Sequence, residues 1–293
     1  MVLVTLLWSM AGVVTRHLDS AQSFEVTFWR SGFNAVALAV ALSWMRGPAL
    51  WRGLLHSPPV VWISGCCWAA MFTAFMIAIT LTSVANVLVT LAVAPLITAL
   101  FARIFLSYRM PARTWVAIVL AGLGIAWMFG REAAEGVSLL GTLIALAVPC
   151  ASSINFTTLQ LVGHGSRNMA SGKDAPQDML PAVFVGATLS AAVTLPFAWP
   201  LQSSVHDLLL LAFLGTFQLA LPCLLLVRLS RELPAPEIAL LALLEVVFGV
   251  TWAWLWAGEQ PSAGTLTGGS LVLGALVANE TFALRNRLRT LAK

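Results

Sequence analysis

The chain has 293 residues, 59% of them apolar and 10% charged, where soluble domains run about 45–50% and about 25%. Its mean hydropathy is +0.90. These values exclude a water-soluble globule, a disordered or collagen-like chain, a disulfide-stapled scaffold and a nucleic-acid-binding domain. The net charge of +4 does not signal an acidic partner, because the basic residues do not cluster on one polar face.

A spanning helix takes about 20 apolar residues. Stretches of that kind, separated by charged or Pro/Gly/Ser punctuation, fall at 1–15, 26–45, 59–80, 84–106, 114–130, 138–161, 179–199, 207–228, 237–257 and 264–284. The expected fold class is therefore all-α integral membrane, with ten transmembrane helices. The runs are apolar on all sides, which excludes the alternating signature of a β-barrel. The first run lacks a basic leader and a small-residue cleavage site, so a removable signal peptide is not expected. Cys66, Cys67, Cys150 and Cys223 lie within apolar runs without a CxxC pair and read as small core residues.

With an inside amino terminus, thirteen of the sixteen Lys and Arg residues fall on one set of loops and helix ends, and Arg16, Arg30 and Arg131 on the other. By the positive-inside bias both termini are expected in the cytoplasm of a bacterial inner membrane. The longest connection, 162–178, is polar and Gly-containing and reads as a mobile cytoplasmic linker.

A shift of 150 residues superposes Ala85 on Ala235, Leu91 on Leu241, Ala92 on Ala242, Pro111 on Pro261 and Gly124 on Gly274. The Pro and Gly matches weigh most, since chance matches among apolar residues are common. The repeats then comprise 1–130 and 131–293, five helices each. An odd number of spans per repeat makes the halves face opposite ways, the inverted plan of many secondary transporters.

Trp8 in LLWSMAGVVTRHL and Arg30 in FEVTFWRSGFNAVALAVAL resemble the opening of the EamA-type transporters of the drug/metabolite transporter superfamily. Pro95 in the fourth span and Glu259 after the ninth match that family's pattern. Two positions depart from it. Glu245 is followed by Val246 instead of proline, which removes the proline that would kink the ninth helix, and Tyr108 replaces an acidic residue after the fourth span. The resemblance implies a ten-helix, two-repeat carrier of metabolites, and similar members include exporters of amino acids, aromatic ones among them.

Polar groups inside spans single out the binding residues. Glu245 lies eight residues into the ninth span, about 12 Å deep, where an acidic group costs about 2.5–3.5 kcal/mol. It must face a partner, a cavity or a proton. Arg30 lies near the end of its span, where a structural role with its stem snorkelling to the headgroups is favoured. Pro95, Pro149 and Pro222 are central in the fourth, sixth and eighth spans and free the carbonyls of Leu91, Ala145 and Gln218. Asn86, Thr90 and Thr98 form a stripe on the fourth helix, and Ser152, Ser153, Asn155 and Thr157 one on the sixth. Each stripe serves as interhelical glue or as pathway lining, and the coincident prolines favour lining. Phe72 and Phe75 on the third helix, with Phe248 and Trp252 on the ninth, form apolar stripes that meet either neighbours or a ligand.

The expected substrate-binding residues are Trp8, Phe75, Thr90, Pro95, Asn155, Gln218, Glu245 and Trp252. Pro95 and Gln218 supply polar groups at helix breaks, Thr90 and Asn155 hydrogen bonds, and the aromatics an apolar wall that suits amino acids better than sugars. No HExxH, Walker lysine loop or GxSxG is present, so neither an enzyme nor a metal or other cofactor is expected. The expected partners are a small-molecule substrate and the lipid bilayer, not nucleic acid. A proton is a candidate coupling ion, and monomer and homodimer both stay open. The rivals are the same carrier plan for another solute (a sugar-linked metabolite, a nucleobase or a toxic cation), a passive channel, and a membrane-embedded lipid-modifying enzyme.

Overall fold

In a computed structural model the chain is described over residues 1–106, 112, 115–117, 119–120, 122–124, 127, 139–168, 178–233, 235–258 and 260–291. The described residues form helices and connections, with no strand among them. The helices are α1 (Val2–Thr15), α2 (Ser23–Arg46), α3 (Ala49–Leu54), α4 (Pro59–Leu81), α5 (Val84–Leu91) and α6 (Ala94–Leu106), then α7 (Leu139–Asn168), α8 (Leu180–Ala198) and α9 (Val205–Phe213). A π-helical segment (Leu214–Ala220) leads into α10 (Leu221–Leu229), followed by α11 (Ala235–Ala242), α12 (Leu244–Trp256) and α13 (Ala263–Leu291).

Among the described residues six stretches are long and apolar enough to cross a membrane: Pro59–Leu81, Val84–Phe101, Leu139–Val162, Leu180–Ala198, Val205–Leu229 and Glu237–Trp256. Helix α2 is less apolar because Glu25, Thr27, Arg30, Ser31 and Asn34 lie along it, and all five are buried against protein. The expected linker begins later than its composition suggests. Residues 162–168 continue α7, and 169–177 lie outside the described residues, as do Tyr108, Pro111, Arg131 and Glu259. Cys66 and Cys150 are exposed on the outer faces of their helices, while Cys67 and Cys223 are buried.

Packing joins the two ends of the sequence throughout. Helix α4 lies against both α7 and α8, α2 against α8 and the π-helical segment, α1 against α12, and α6 against α7 and α11. Hydroxyls and amides stitch these contacts. Ser190 Oγ meets Ser31 Oγ at 2.9 Å and Thr73 Oγ1 at 2.8 Å. Asn86 Nδ2 donates to Thr142 Oγ1 at 2.7 Å, Thr98 to Ser153 Oγ at 3.0 Å, and Ser64 to Asn155 Oδ1 at 2.6 Å. In an apolar surround such bonds fix helix register, at about 0.6 kcal/mol each.

A reciprocal clasp ties two connections at one end of the bundle. The buried Asp207 carboxylate, in the first turn of α9, accepts backbone N–H groups from Asp19, Ser20 and Ala21 at 2.8, 3.0 and 3.1 Å. The buried Glu25 carboxylate, in the first turn of α2, accepts those of Gln202 and Ser203, each at 2.8 Å. Each connection thus donates to the helix that follows the other. Both carboxylates also sit at helix N-termini, where the peptide dipoles favour negative charge.

Small residues set the closest approaches. Gly65 and Gly186 let α4 and α8 touch, and a Cβ on Gly65 would lie 2.6 Å from Val185 Cγ1. At Gly215 in the π-helical segment a Cβ would lie 2.6 Å from the Arg30 carbonyl oxygen and 2.8 Å from the Asn34 nitrogen. Those neighbours are main chain and cannot rotate away. Gly215→Ala is therefore expected to cost about 1–3 kcal/mol, read as a lowered Tm of the detergent-solubilised protein; an unchanged Tm would contradict this contact.

Candidate functional site

Two apolar stretches are interrupted at positions 150 residues apart. The Val84–Phe101 stretch turns at Ala92 and Val93 before Pro95, and the Glu237–Trp256 stretch turns at Leu243 before Glu245. Pro95 has no N–H for the Leu91 carbonyl, so the first break follows from its ring. The second arises without a proline: the Val246 N–H turns to the Leu243 carbonyl at 3.0 Å. The absent proline after Glu245 therefore does not abolish the break. The third irregularity is the π-helical segment. Pro222 cannot donate to the Gln218 carbonyl, and the preceding turn widens so that the Leu221 N–H reaches back to Thr216. Single π turns of this kind cluster at functional sites.

A cavity opens where these irregular segments meet. The space open to the centres of water molecules is ≈ 90 Å³, against the roughly 10–15 Å³ that one water needs. Leu91 and Ala94 flank the first break, Ala242 and Leu243 the second, and Pro149 and Ser152 contribute from α7. Trp8, Trp68, Phe72 and Phe75 form an aromatic wall. The two ionisable groups on the lining are Arg30 and Glu245.

Arg30 is only 2% exposed and does not snorkel to the membrane surface. Its Nε and Nη2 donate to Gln218 Oε1 at 3.2 and 2.8 Å, and Gln218 Nε2 donates to the Trp8 carbonyl at 3.0 Å. Helix α2, the π-helical segment and α1 are thereby joined through one buried amide. The guanidinium carbon lies 5.9 Å from the Phe75 ring centroid, within cation–π range. Among the described residues Arg30 Nη1 and the indole N–H of Trp68 have no hydrogen-bond partner. Glu245 sits in the first turn of α12, where the helix dipole favours its charge. Arg30 and Glu245 line the same cavity, yet among the described residues no direct ion pair joins them.

Of the residues expected to bind substrate, the cavity collects Trp8, Phe75, Gln218 and Glu245. The other four stand beside it. Thr90 donates to the Asn86 carbonyl at 2.9 Å. Pro95 shapes the first break while its neighbour Ala94 lines the space. Asn155 bonds Ser64 in the α4/α7 contact, and the Trp252 indole donates to Ser9 Oγ at 3.0 Å. The polar stripes of the fourth and sixth spans work mainly as glue, with Ser152 the member that reaches the cavity. Arg30 and Trp68 complete the site; a charge whose burial cost is avoided only by a partner is the signal that marks Arg30.

Comparison with known proteins adds three findings. The model of the EamA-like transporter family matches residues 1–130 and 168–279. Pseudopaline exporters CntI from two strains of Pseudomonas aeruginosa, UCBPP-PA14 and PAO1, are each 23% identical over 275 residues, spanning 92% of this chain and 90% of theirs. A solved crystal structure shares the fold, with a TM-score of 0.68 at 17% identity, covering 96% of this chain and 95% of that one.

Removing the amide that shields the guanidinium should be costly. Gln218→Ala strands a buried cation, and a loss of about 3–5 kcal/mol is expected, measured as a lowered unfolding temperature in detergent. Gln218→Glu, which keeps an acceptor at Oε1, should recover most of it.

Proposed function

The chain belongs to the EamA-like transporter family, and from that premise we propose that it is a secondary exporter of small metabolites, chiefly amino acids with aromatic or hydrophobic side chains. Members of this family are transporters, and the six apolar stretches of membrane length fit a multi-pass membrane protein. The proposed seat is the bacterial inner membrane, with ten spans, both termini cytoplasmic, and alternating access between two inverted five-helix halves, 1–130 and 131–293.

The observation that carries this reading is the cavity at two helix breaks 150 residues apart. Broken helices in corresponding places of two halves are the usual makers of carrier sites, because unwound main chain within a bilayer is tolerated only where it lines protein or water. The aromatic wall, with few polar groups, matches a solute that has one polar end and a bulky apolar one. The binding residues proposed are Trp8, Phe75, Thr90, Pro95, Asn155, Gln218, Glu245 and Trp252, those beside the cavity acting by holding the breaks in register. The likeness to pseudopaline exporters makes pseudopaline a second candidate cargo.

Counterflow into liposomes containing the purified protein tests the substrate. Labelled phenylalanine, tryptophan or leucine should accumulate against an internal pool of the same compound; a panel in which pseudopaline moves and no amino acid does would reject the first cargo in favour of the second. A proton is the proposed coupling ion, with Glu245 as its carrier. Flux should then respond to an imposed pH gradient, and Glu245→Gln should abolish that response; a variant with the wild-type pH profile would remove protons from the scheme.

A further inference from the structure

Arg30 on α2 and Glu245 on α12 both line one cavity, each with an unmet requirement. The guanidinium is covered by Gln218 on its Nε and Nη2 edge, which leaves Nη1 buried with no acceptor. The Glu245 carboxylate has no hydrogen-bond donor among the described residues and reaches the cavity space. A direct ion pair would meet both needs, but among the described residues none joins the two groups, and both line the same cavity.

An uncompensated charge in a low-dielectric surround is expensive, and a buried pair is stable only when hydrogen bonds satisfy the remaining lone pairs and protons. The missing parts are an acceptor with negative charge at Arg30 Nη1 and a donor with positive charge at Glu245. Among the described residues no other ionisable side chain lines the space, so a ligand that supplies both ends leaves the cavity neutral. One that supplies a single end leaves a lone charge behind.

We propose that the site recognises zwitterions, with Arg30 Nη1 binding the substrate carboxylate, Glu245 binding its ammonium group, and Gln218 acting as the positioning residue that turns Nη1 toward the cavity. This assignment rests on the export function proposed above and narrows it to compounds that carry both a free amine and a free carboxylate. The aromatic wall of Trp8, Trp68, Phe72 and Phe75 takes the side chain, and bidentate engagement of the guanidinium by a carboxylate is blocked on the Gln218 edge. Recognition at the acid end therefore runs through the Nη1 side of the guanidinium, which Gln218 leaves free, by charge-assisted hydrogen bonding.

The test uses the full-length protein in liposomes, with labelled L-phenylalanine counterflow as the readout. Unlabelled L-phenylalanine, its methyl ester, 3-phenylpropionate and 2-phenylethylamine serve as competitors. The three truncated analogues should compete at least about tenfold less well than phenylalanine, or about 1.4 kcal/mol. Arg30→Gln should bring the ester and the amine closer to phenylalanine, and Glu245→Gln should do the same for 3-phenylpropionate. Arg30→Lys, which keeps the charge, covers the case in which Arg30→Gln fails to fold, and it should retain the wild-type order of competitors. Phenylalanine flux with analogues competing equally, or variants that weaken all competitors alike, would overturn the assignment while leaving amino-acid export standing. Absence of any phenylalanine counterflow in the wild type would overturn both.

Discussion

The bundle is organised around a guanidinium that cannot leave it. Arg30 is buried on α2, and a side chain with that charge needs a partner in a protein interior. The partner is the side-chain Oε1 of Gln218, whose Nε2 donates in turn to the Trp8 carbonyl. Three segments distant in sequence are thereby placed within a hydrogen bond of one another. Gly215, one turn earlier on the π-helical segment, lets that segment rest on the α2 main chain. A larger residue there would move the Gln218 amide away from the cation it satisfies.

The breaks in the apolar helices follow from backbone chemistry of two kinds. At Pro95 the ring deletes a donor and the chain turns where the bond is missing. At Leu243 no donor is missing, and the chain turns in the same relative place with Glu245 following. Pro95 and Glu245 lie 150 residues apart, so a rigid ring follows the first break where an acidic side chain follows the second. The lining is accordingly asymmetric, with the carboxylate on the α12 side only.

Much of this was legible in the amino-acid sequence because membrane burial writes itself in runs of apolar residues. The helical class, the apolar stretches and the polar anomalies of Gln218 and Glu245 all stand out against that background. Arg30 was harder to place. Its distance from the end of the span permits either an outward stem or an inward one, and only the packing of α2 against α8 and the π-helical segment decides for the interior. Trp68 carries no signal of its own, since an indole in an apolar run has the same appearance whether it meets lipid, a neighbour or a cavity. The polar stripes misled for a related reason: Asn86, Thr98 and Ser153 look the same from one helix whether their partners are solute or the helix opposite.

The clasp between Glu25 and Asp207 has a lopsided tolerance to substitution. Most of its donors are main-chain amides of 19–21 and 202–203, which every residue except proline provides. Apart from the hydroxyls of Ser20 and Ser203, which add bonds of their own, the connecting segments can therefore exchange side chains with these main-chain bonds intact, whereas the acceptors have no such redundancy. Two acidic positions gather most of the junction's donors, and shortening either by one methylene, or lengthening it by one, would pull an oxygen out of reach of donors that the backbone has already fixed.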